Sequence, residues 1–305
     1  MHRAAKTDVW TRFLREAGFD DAVARRWASL ARPNIRLLTG DVAPLDTSQS
    51  GVTKLGGEPD MPRGTRWPER TPYAYTDRQR VPEDSEPAPL DFLAQINLTD
   101  VAHVGCDLPL PASGLLSFFY DAELQPWGFD PADAPGFRVI YTPPGAELVR
   151  LIHPGGVRPA LPVQLEAAEN LPDWAWFLEH EGEMLGEDDD AFHAAFDKLD
   201  DERQYEMFYT GHAFGGWPAL IQNPMEIECQ LASNGIFVGG PEGYADPSAR
   251  ALEAGAADWR LLLQLDSEDE LGWMWGDGGT VYFWCREQDI AAGRFDRVWT
   301  VLQCT

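Results

Sequence analysis

Acidic side chains near residue 270 have the spacing of a calcium-binding loop. Four carboxylates occupy positions 1, 3, 5 and 12 of a twelve-residue segment: Asp266, Glu268, Glu270 and Asp277. Calcium loops of this kind have glycine at position 6 and glutamate at position 12, whereas this segment has Leu271 and Asp277 there. The segment also follows a predicted strand and not a helix. We therefore predict at most an irregular divalent-cation site, and the alternative is a solvated loop.

Two predicted strands each end in a polar pair, Gln95 with Asn97 and Gln264 with Asp266. Because side chains alternate between the two faces of a strand, each pair shares one face. A buried amide without a partner costs about 1–3 kcal/mol, so both glutamines must form hydrogen bonds. The partner is either loop backbone near an adjacent Gly-Gly-x-Pro turn or a ligand in a cleft.

The turn that precedes residue 280 adds an aromatic ring and a carboxylate to the second polar pair. Its sequence is Trp-Gly-Asp-Gly-Gly at positions 275–279. In the predicted ligand site, amides and carboxylates form hydrogen bonds and the indole provides an apolar wall. The candidate ligand-binding residues are Gln95, Asn97, Gln264, Asp266, Trp275 and Asp277.

Recognisable catalytic motifs are absent from the sequence. It contains no G-x-S-x-G, no P-loop, no H-E-x-x-H and no G-x-G-x-x-G that enters a helix. None of the six histidines has a second histidine three to five residues away. The sequence therefore identifies no catalytic residue and no evident cofactor, apart from the divalent cation considered above.

The charge of the chain restricts its partners. Fifty acidic and 24 basic residues give a net charge of −26 and a pI near 4.4. Nucleic acids and anionic membranes are excluded as partners because both require clustered Lys and Arg. The surplus of acid is typical of a solvated surface, and it also favours electrostatic steering of a basic protein partner.

The length of 305 residues suggests about two domains. A hydrophobic content of 44% is enough for a packed core, and no apolar run is long enough to cross a bilayer. The first residues have no apolar signal core, so we expect a cytoplasmic protein. The four cysteines form no C-x-x-C pair and are expected to be reduced core residues.

Hydrophobic periodicity predicts the elements that position these residues. Two helices form an N-terminal hairpin that ends at Pro33, residues 58–89 form an irregular loop, and a helix at 191–199 is capped by one of Asp188, Asp189 and Asp190. Strands are predicted at 90–97, 115–121, 137–142, 147–152, 161–168, 227–232, 236–238, 259–266, 280–285 and 298–304. Asn234-Gly235 is predicted to be a hairpin turn. Many short strands without β-α alternation predict an α+β fold with mixed, largely antiparallel sheets.

Three motifs occur twice, in the same order, which indicates an internal duplication. Gly-Gly-x-Pro occurs at 56–59 and 215–218, the Gln strand at 92–97 and 261–266, and a Gly-led strand at 114–119 and 279–284. The offsets of 159, 169 and 165 residues agree closely. We predict a hairpin appendage at 1–40, a first copy at 41–170 and a second copy at 171–305, packed as one body.

The duplicated motifs also carry a resemblance to a known family. The segments concerned are Lys54-Leu55-Gly56-Gly57-x-Pro59, the strand at 89–97, Gly114-Leu115-Leu116-x-Phe118-Phe119, the run at 274–283 and the closing run at 299–304. Over about residues 50–304 the chain resembles the bacterial YwqG-like family. The resemblance implies a cytosolic bacterial protein with an α+β fold. It implies no reaction or catalytic residue, because that family is of unknown function, and it favours an interaction or immunity role.

These observations give one leading functional hypothesis and two others. The leading hypothesis is a non-enzymatic binding or protein-interaction module with its ligand held where the two copies meet. A related hypothesis is an immunity-like protein whose acidic surface captures a basic toxin. The alternative is a hydrolase-type enzyme with an acidic, divalent-metal-dependent site between the copies.

Overall fold

The computed structural model describes residues 2–40, 49–71, 87–185 and 190–305. Part of the predicted loop at 58–89, namely residues 72–86, lies outside these ranges, and so do Asp188 and Asp189 of the acidic run. None of the helices in the described ranges has both the length and the apolar character needed to cross a membrane.

Ten short or medium α-helices lie in the described ranges. They are α1 (His2–Ala17), α2 (Asp21–Ser29), α3 (Leu98–Val104), α4 (Trp174–Glu181), α5 (Asp190–Phe196), α6 (Asp201–Met207), α7 (Glu226–Ala232), α8 (Pro241–Tyr244), α9 (Ala249–Leu252) and α10 (Glu287–Ala291). Single 3₁₀ turns lie at Pro131–Gly136, Gly182–Leu185, Glu253–Asp258, Asp269–Leu271 and Phe295–Arg297.

Fifteen strands are present in the same ranges. They are β1 (Arg32–Leu38), β2 (Lys54–Gly56), β3 (Asp60–Pro62), β4 (Glu69–Arg70), β5 (Ala88–Pro89), β6 (Asp91–Asn97), β7 (Leu115–Tyr120), β8 (Phe137–Thr142), β9 (Leu148–Arg150), β10 (Ala160–Pro162), β11 (Gln164–Asn170), β12 (Ala213–Gly215), β13 (Trp259–Asp266), β14 (Thr280–Arg286) and β15 (Trp299–Gln303).

The strands form two main antiparallel sheets. One has five strands in the order β10-β2-β6-β7-β8, and the other has six in the order β11-β1-β12-β13-β14-β15. Two small ribbons, β3-β9 and β4-β5, complete the pairing. Antiparallel sheets with separate helices confirm the predicted α+β class, including the N-terminal pair of helices.

Four strands of each sheet correspond in order and register. Lys54 of β2 lies opposite Gln95 of β6, and Ala213 of β12 lies opposite Gln264 of β13. The pairs β6-β7 and β13-β14 both contain a register shift near the middle of the strand. These correspondences support the interpretation that the chain contains a duplication.

The six-stranded sheet also contains two strands, β1 and β11, that lie far from β12–β15 in the sequence. β1 precedes β2 along the chain but lies between β11 and β12 in the six-stranded sheet. β11 pairs with β1 at the edge of this sheet, whereas the five-stranded sheet uses only strands from residues 54–162. The predicted divisions at residues 40 and 170 stay predictions, since β1 lies before the first division and β11 before the second, yet both belong to the six-stranded sheet.

The inner faces of the two sheets share one hydrophobic core. Buried residues from β6, β7, β13, β14 and β15 belong to a single cluster. The ring centroids of Phe118 on β7 and Phe283 on β14 lie 5.1 Å apart in an edge-to-face contact. Tyr120 and Trp275 make a second such contact at 5.6 Å. Burial of these large rings stabilises the pairing of the sheets.

A second core fixes the N-terminal hairpin to helices α4 and α5. Trp27 of α2 is fully buried and stacks on Phe177 and Phe192 at centroid distances of 4.9 and 5.4 Å. Its Nε1–H donates to the carbonyl of Pro172 at 2.9 Å. Asp20 caps α2 by accepting from the backbone N–H of Ala22. The hairpin therefore places the start of β1 beside α4.

The predicted hairpin around Asn234-Gly235 is wrong, because residues 226–232 form the helix α7. The buried residues of this segment cluster at its C-terminal end, at Cys229, Gln230, Leu231 and Ala232. A short apolar run does not distinguish a strand from a buried helix. Gly235 has a φ of +92° and ends the helix, with the N–H of Ile236 donating to the carbonyl of Leu231. The predicted strand at 236–238 is also absent.

The predicted loop at 58–89 is not uniformly irregular. β3, β4 and β5 lie within it; β3 pairs with β9, and β4 pairs with β5. These strands have two or three residues each, too few for a period of two to be visible in the sequence.

The buried carboxyl of Asp133 gives a prediction about stability and pH. Its side chain is 1% exposed and its Oδ2 accepts from the N–H of Gly128 at 2.8 Å. Burial raises the pKa of Asp133 to about 7 from an ordinary 3.8. The folded chain therefore holds this proton up to about pH 7, whereas the unfolded chain releases it near pH 4. The contribution to stability is full below pH 4 and is lost as the pH rises toward 7.

Asp133→Asn should therefore change how stability depends on pH. Asparagine keeps the acceptor for Gly128 but does not ionise. Relative to this variant, the wild-type chain should lose about 1.4 kcal/mol of unfolding free energy per pH unit between pH 5 and pH 7. Urea denaturation at several pH values measures both slopes, and equal slopes would contradict the assignment.

Candidate functional site

Gln95 is fully buried and all of its hydrogen-bonding groups are occupied by the protein. Its Oε1 accepts from the N–H of Asp60 at 2.8 Å, and its Nε2 donates to the carbonyl of Val52 at 2.8 Å and to Asp60 Oδ2 at 3.2 Å. Of the two partners considered from the sequence, the structure therefore places loop backbone beside this amide.

Gln264 has the same arrangement in the six-stranded sheet. It is 1% exposed, and its Oε1 accepts from the N–H of Ala219 at 3.0 Å. Its Nε2 donates to the carbonyls of Tyr209 and Gly211 at 3.1 and 2.7 Å. Each glutamine therefore joins its strand to the loops on either side of the Gly-Gly-x-Pro turn.

Asn97 is the N-cap of α3. Its Oδ1 accepts from the N–H of Thr99 at 2.9 Å, and its Nδ2 donates to the carbonyl of Gly51 at 2.8 Å. A capping asparagine satisfies an amide group at the helix end that has no partner within the helix. None of the hydrogen bonds found for Gln95 and Asn97 reaches the acidic loop at 266–277.

Asp266 and Glu268 lie together around His212. The N–H of Asp266 donates to His212 Nδ1 at 3.1 Å, so the ring proton is on Nε2, which lies 3.3 Å from Glu268 Oε2. Burial lowers the pKa of His212 and favours this neutral form. Asp266 Oδ1 accepts from the N–H of Ser267 and the hydroxyl of Thr280. The group closes the end of β13 with internal hydrogen bonds.

Glu270 and Asp277, the other two predicted cation ligands, are exposed. In the parts of the chain that the structure describes, no group of three or more His, Cys, Asp or Glu side chains is arranged to hold a metal ion. The hypothesis of a divalent cation at Asp266, Glu268, Glu270 and Asp277 stays a prediction without a supporting observation.

Trp275 is 1% exposed and belongs to the junction between the two sheets. Its Nε1–H donates to the carbonyl of Asp266 at 3.2 Å. Gln125, which follows β7, bonds to both sides of the same turn: its Nε2 donates to the carbonyl of Met274 and its Oε1 accepts from the N–H of Gly276. At this turn, the two copies that we predicted to hold a ligand between them are in direct packing contact.

A cavity of about 610 Å³ lies elsewhere, at the other end of β13. It is bounded by the end of α2, the start of β1, α4, the loop after β12, the start of α7 and the 3₁₀ turn Glu253–Asp258. Its size is that of a small-molecule site. Its polar lining residues include Arg32, Glu226 and Arg260. We call this space the Arg32 cavity.

Arg32 is the central cation of the cavity. Its guanidinium carbon lies 3.4 Å from the centre of the Trp217 ring, a cation–π contact. In the described part of the chain, the side chain of Arg32 forms no hydrogen bond and no ion pair, whereas its residue is paired with Asn170 in the β1-β11 ladder. Burial, together with repulsion from Arg260, lowers the pKa of Arg32 to about 10, so it keeps its charge at neutral pH. Partial desolvation of a cation that has no carboxylate in direct contact is costly.

Trp217 is held in place by three hydrogen bonds. Its backbone N–H donates to Asn170 Oδ1, Asn170 Nδ2 donates to its carbonyl, and its Nε1–H donates to the carbonyl of Leu30. Trp217 is the variable residue of the second Gly-Gly-x-Pro motif, and Glu58 is its counterpart in the first motif. The second motif therefore has, at its variable position, the aromatic ring that Arg32 contacts, whereas the first motif has a glutamate there.

Trp176 and Glu226 form a second part of the wall. Trp176 stacks on His180 at a centroid distance of 4.1 Å, and its Nε1–H donates to Glu226 Oε1 at 3.0 Å. Glu226 is 9% exposed, and its Oε2 has no hydrogen-bond partner among the described residues. Burial raises the pKa of Glu226.

Arg260 already forms ion pairs with two carboxylates. Its Nη2 donates to Asp107 Oδ2 at 2.8 Å and its Nη1 donates to Glu287 Oε2 at 2.7 Å. Arg32 therefore remains the cation of the cavity that is available to a ligand. The arrangement can bind an anionic group, form hydrogen bonds and provide apolar walls, which is the chemistry of recognition.

Residue spacing in the sequence does not predict this cavity. Its residues come from segments as far apart as Arg32 and Arg260, and no local spacing connects them. One signal was present, since Trp217 replaces Glu58 inside a motif that is otherwise repeated. A difference of this kind marks a position at which the two motifs have separate roles.

Comparison with known proteins gives a family and no activity. Residues 53–304 match the family described as a domain of unknown function, DUF1963. A search of curated proteins found no match. The match covers most of the chain and includes both main sheets apart from β1, so the chain belongs to the DUF1963 family.

Proposed function

We propose that this protein is a non-enzymatic binding protein that holds a small molecule with an anionic group beside Arg32. The observation that carries the proposal is the half-buried guanidinium of Arg32, which lies against Trp217 without an ion pair in the described residues. An anion in the cavity would form charge-assisted hydrogen bonds with this group and offset the cost of its desolvation. The volume of about 610 Å³ supports a small ligand.

Arg32→Met tests the proposal. The variant should lose the response to anionic ligands, because methionine keeps apolar contact with Trp217 but carries no charge. Without ligand, its unfolding temperature should equal or exceed that of the wild type, because an uncompensated cation has been removed. The measurement is thermal unfolding with a panel of small carboxylates. At 100 times Kd a ligand stabilises the wild type by about 2.7 kcal/mol.

The matched control is Arg66→Met, which makes the same change at an exposed arginine outside the cavity. This variant should respond to carboxylates like the wild type. Equal stabilisation of the wild type and Arg32→Met by every carboxylate that binds would contradict the proposed site.

The net charge of −26 supports a second proposal, the capture of a basic protein such as a toxin by the acidic surface. Such capture should weaken at high salt, since screening shortens the range of surface charges. It should also survive Arg32→Met, which separates it from binding in the cavity. A bacterial, cytoplasmic protein of the YwqG-like kind and the hydrolase alternative both stay predictions.

A further inference from the structure

A basic side chain, Arg32, and an acidic side chain, Glu226, line the Arg32 cavity without forming an ion pair with each other. Arg32 and Glu226 interact electrostatically, but they form no ion pair within 4.0 Å. Glu226 Oε2 has no partner among the described residues, whereas Oε1 accepts from Trp176. Glu226 lines the cavity, and the terminal torsion of glutamate is broad.

Apart from Arg260, the remaining charged residues of the cavity are acidic. Glu179 and Glu253 are exposed at its margin, and neither forms an ion pair in the described parts of the chain. Arg260 is held by Asp107 and Glu287. A purely anionic ligand would therefore be attracted by Arg32 and repelled by its surroundings, which belong to a chain of net charge −26. A ligand with both charges avoids that repulsion.

We infer that the ligand is a zwitterion, a free α-amino acid with a large apolar side chain. The inference rests on the proposed function and names its ligand class. The carboxylate binds Arg32, and the ammonium binds Glu226 with support from the carboxylates at the margin. The side chain packs on the wall formed by Trp176, Leu30 and Ile227, which line the same space.

The electrostatics of Glu226 are consistent with this assignment. Burial disfavours its ionised form, and an ammonium group within hydrogen-bond reach would restore that form. Binding therefore gives partners at once to a half-buried guanidinium and to the buried Oε2 of Glu226, which has no hydrogen bond among the described residues.

Calorimetry with a matched set of compounds tests the inference. L-Phenylalanine carries both charges, 3-phenylpropionate lacks the ammonium, and phenethylamine lacks the carboxylate. L-Phenylalanine should bind the wild-type chain at least about tenfold more tightly than either relative. L-Leucine and L-methionine serve as further probes of the same class with aliphatic side chains.

Variants at Glu226 distinguish the effect of its charge on binding from the effect of its hydrogen bond with Trp176 on the fold. Glu226→Gln keeps the bond from Trp176 and removes the charge, so L-phenylalanine and 3-phenylpropionate should bind this variant equally. Arg32→Met should abolish binding of both. Thermal unfolding of each variant without ligand shows whether the fold is retained.

The possible failures are distinguishable. If 3-phenylpropionate binds the wild type as tightly as L-phenylalanine, the zwitterion inference is wrong and the anion site stands. Failure of all three amino acids to bind the wild type also overturns the inference. If phenethylamine binds as tightly as L-phenylalanine and Arg32→Met has no effect, the proposed function fails as well.

Discussion

Asp60→Ala should lower the free energy of unfolding by about 3–5 kcal/mol, because it leaves buried cations without their counterion. Asp60 is fully buried and accepts from the N–H of Gly51 at 2.9 Å and from Arg150 Nε at 3.0 Å. Lys54, which is 2% exposed, lies with its Nζ 3.6 Å from Asp60 Oδ2. Urea denaturation followed by tryptophan fluorescence measures the loss.

The six-stranded sheet suggests the control for this experiment. Ala213 and Ala219 occupy there the places that Lys54 and Asp60 occupy in the five-stranded sheet, as the pairings of Ala213 and Ala219 with Gln264 show. The double variant Lys54→Ala/Asp60→Ala removes both charges together. It should be more stable than Asp60→Ala alone, and a double variant that is less stable would contradict an electrostatic origin.

Lowering the pH should reduce the difference in unfolding free energy between the wild type and Asp60→Ala. Burial alone would raise the pKa of Asp60, but the bonds from Arg150 and Gly51 and the charge of Lys54 lower it below its ordinary value. Its contribution to stability is therefore present above the ordinary pKa near 4 and is lost as the pH falls through the folded value.

Gln264→Leu should lower the free energy of unfolding by about 3 kcal/mol or more. Leucine fills a similar volume but leaves the N–H of Ala219 and the carbonyls of Tyr209 and Gly211 without their partner. Each buried polar group that loses its hydrogen bond costs about 1–3 kcal/mol. Gln95→Leu should have a comparable effect, since Gln95 bonds to Asp60 and Val52 in the same manner.

Gln222→Leu is the matched control, because Gln222 is exposed and bonds to a single carbonyl, that of Cys304. Its stability should stay close to that of the wild type. Retention of full stability by Gln264→Leu, together with loss of ligand binding, would favour the alternative in which this glutamine contacts a ligand.

Five of the longer strands could be predicted from the sequence because their physical signal is local. No strand was predicted at β1, and the predicted strand at 161–168 is wrong as a single strand because it spans β10 and β11, which lie in different sheets. β8 and β13 have the predicted bounds, and β6, β7 and β14 differ from theirs by one residue. α7 was assigned wrongly because a short buried segment is apolar in either conformation. β2 and β12 have three residues each, so they are defined by their partners and not by a period.

The candidate sites show the same limit. The requirement that Gln95 and Gln264 be hydrogen-bonded follows from the cost of burying an amide, and it could be stated from the strand pattern alone. The Arg32 cavity could not be predicted from the strand pattern, because the contact of Arg32 with Trp217 depends on how β1 is inserted beside β12. Long-range pairing of that kind leaves no trace in residue spacing.

The positions of β1 and β10 in the two sheets have a consequence for synthesis of the chain. β1 has both neighbours only after Ala213–Gly215 has been made, and the five-stranded sheet lacks its edge strand until Ala160–Pro162 has been made. A growing chain therefore carries unpaired strand edges, the surfaces by which nascent proteins associate with one another. Expressed alone, the predicted second copy would lack β1 and β11 of its sheet, so the smallest segment that contains both complete sheets runs from β1 to β15.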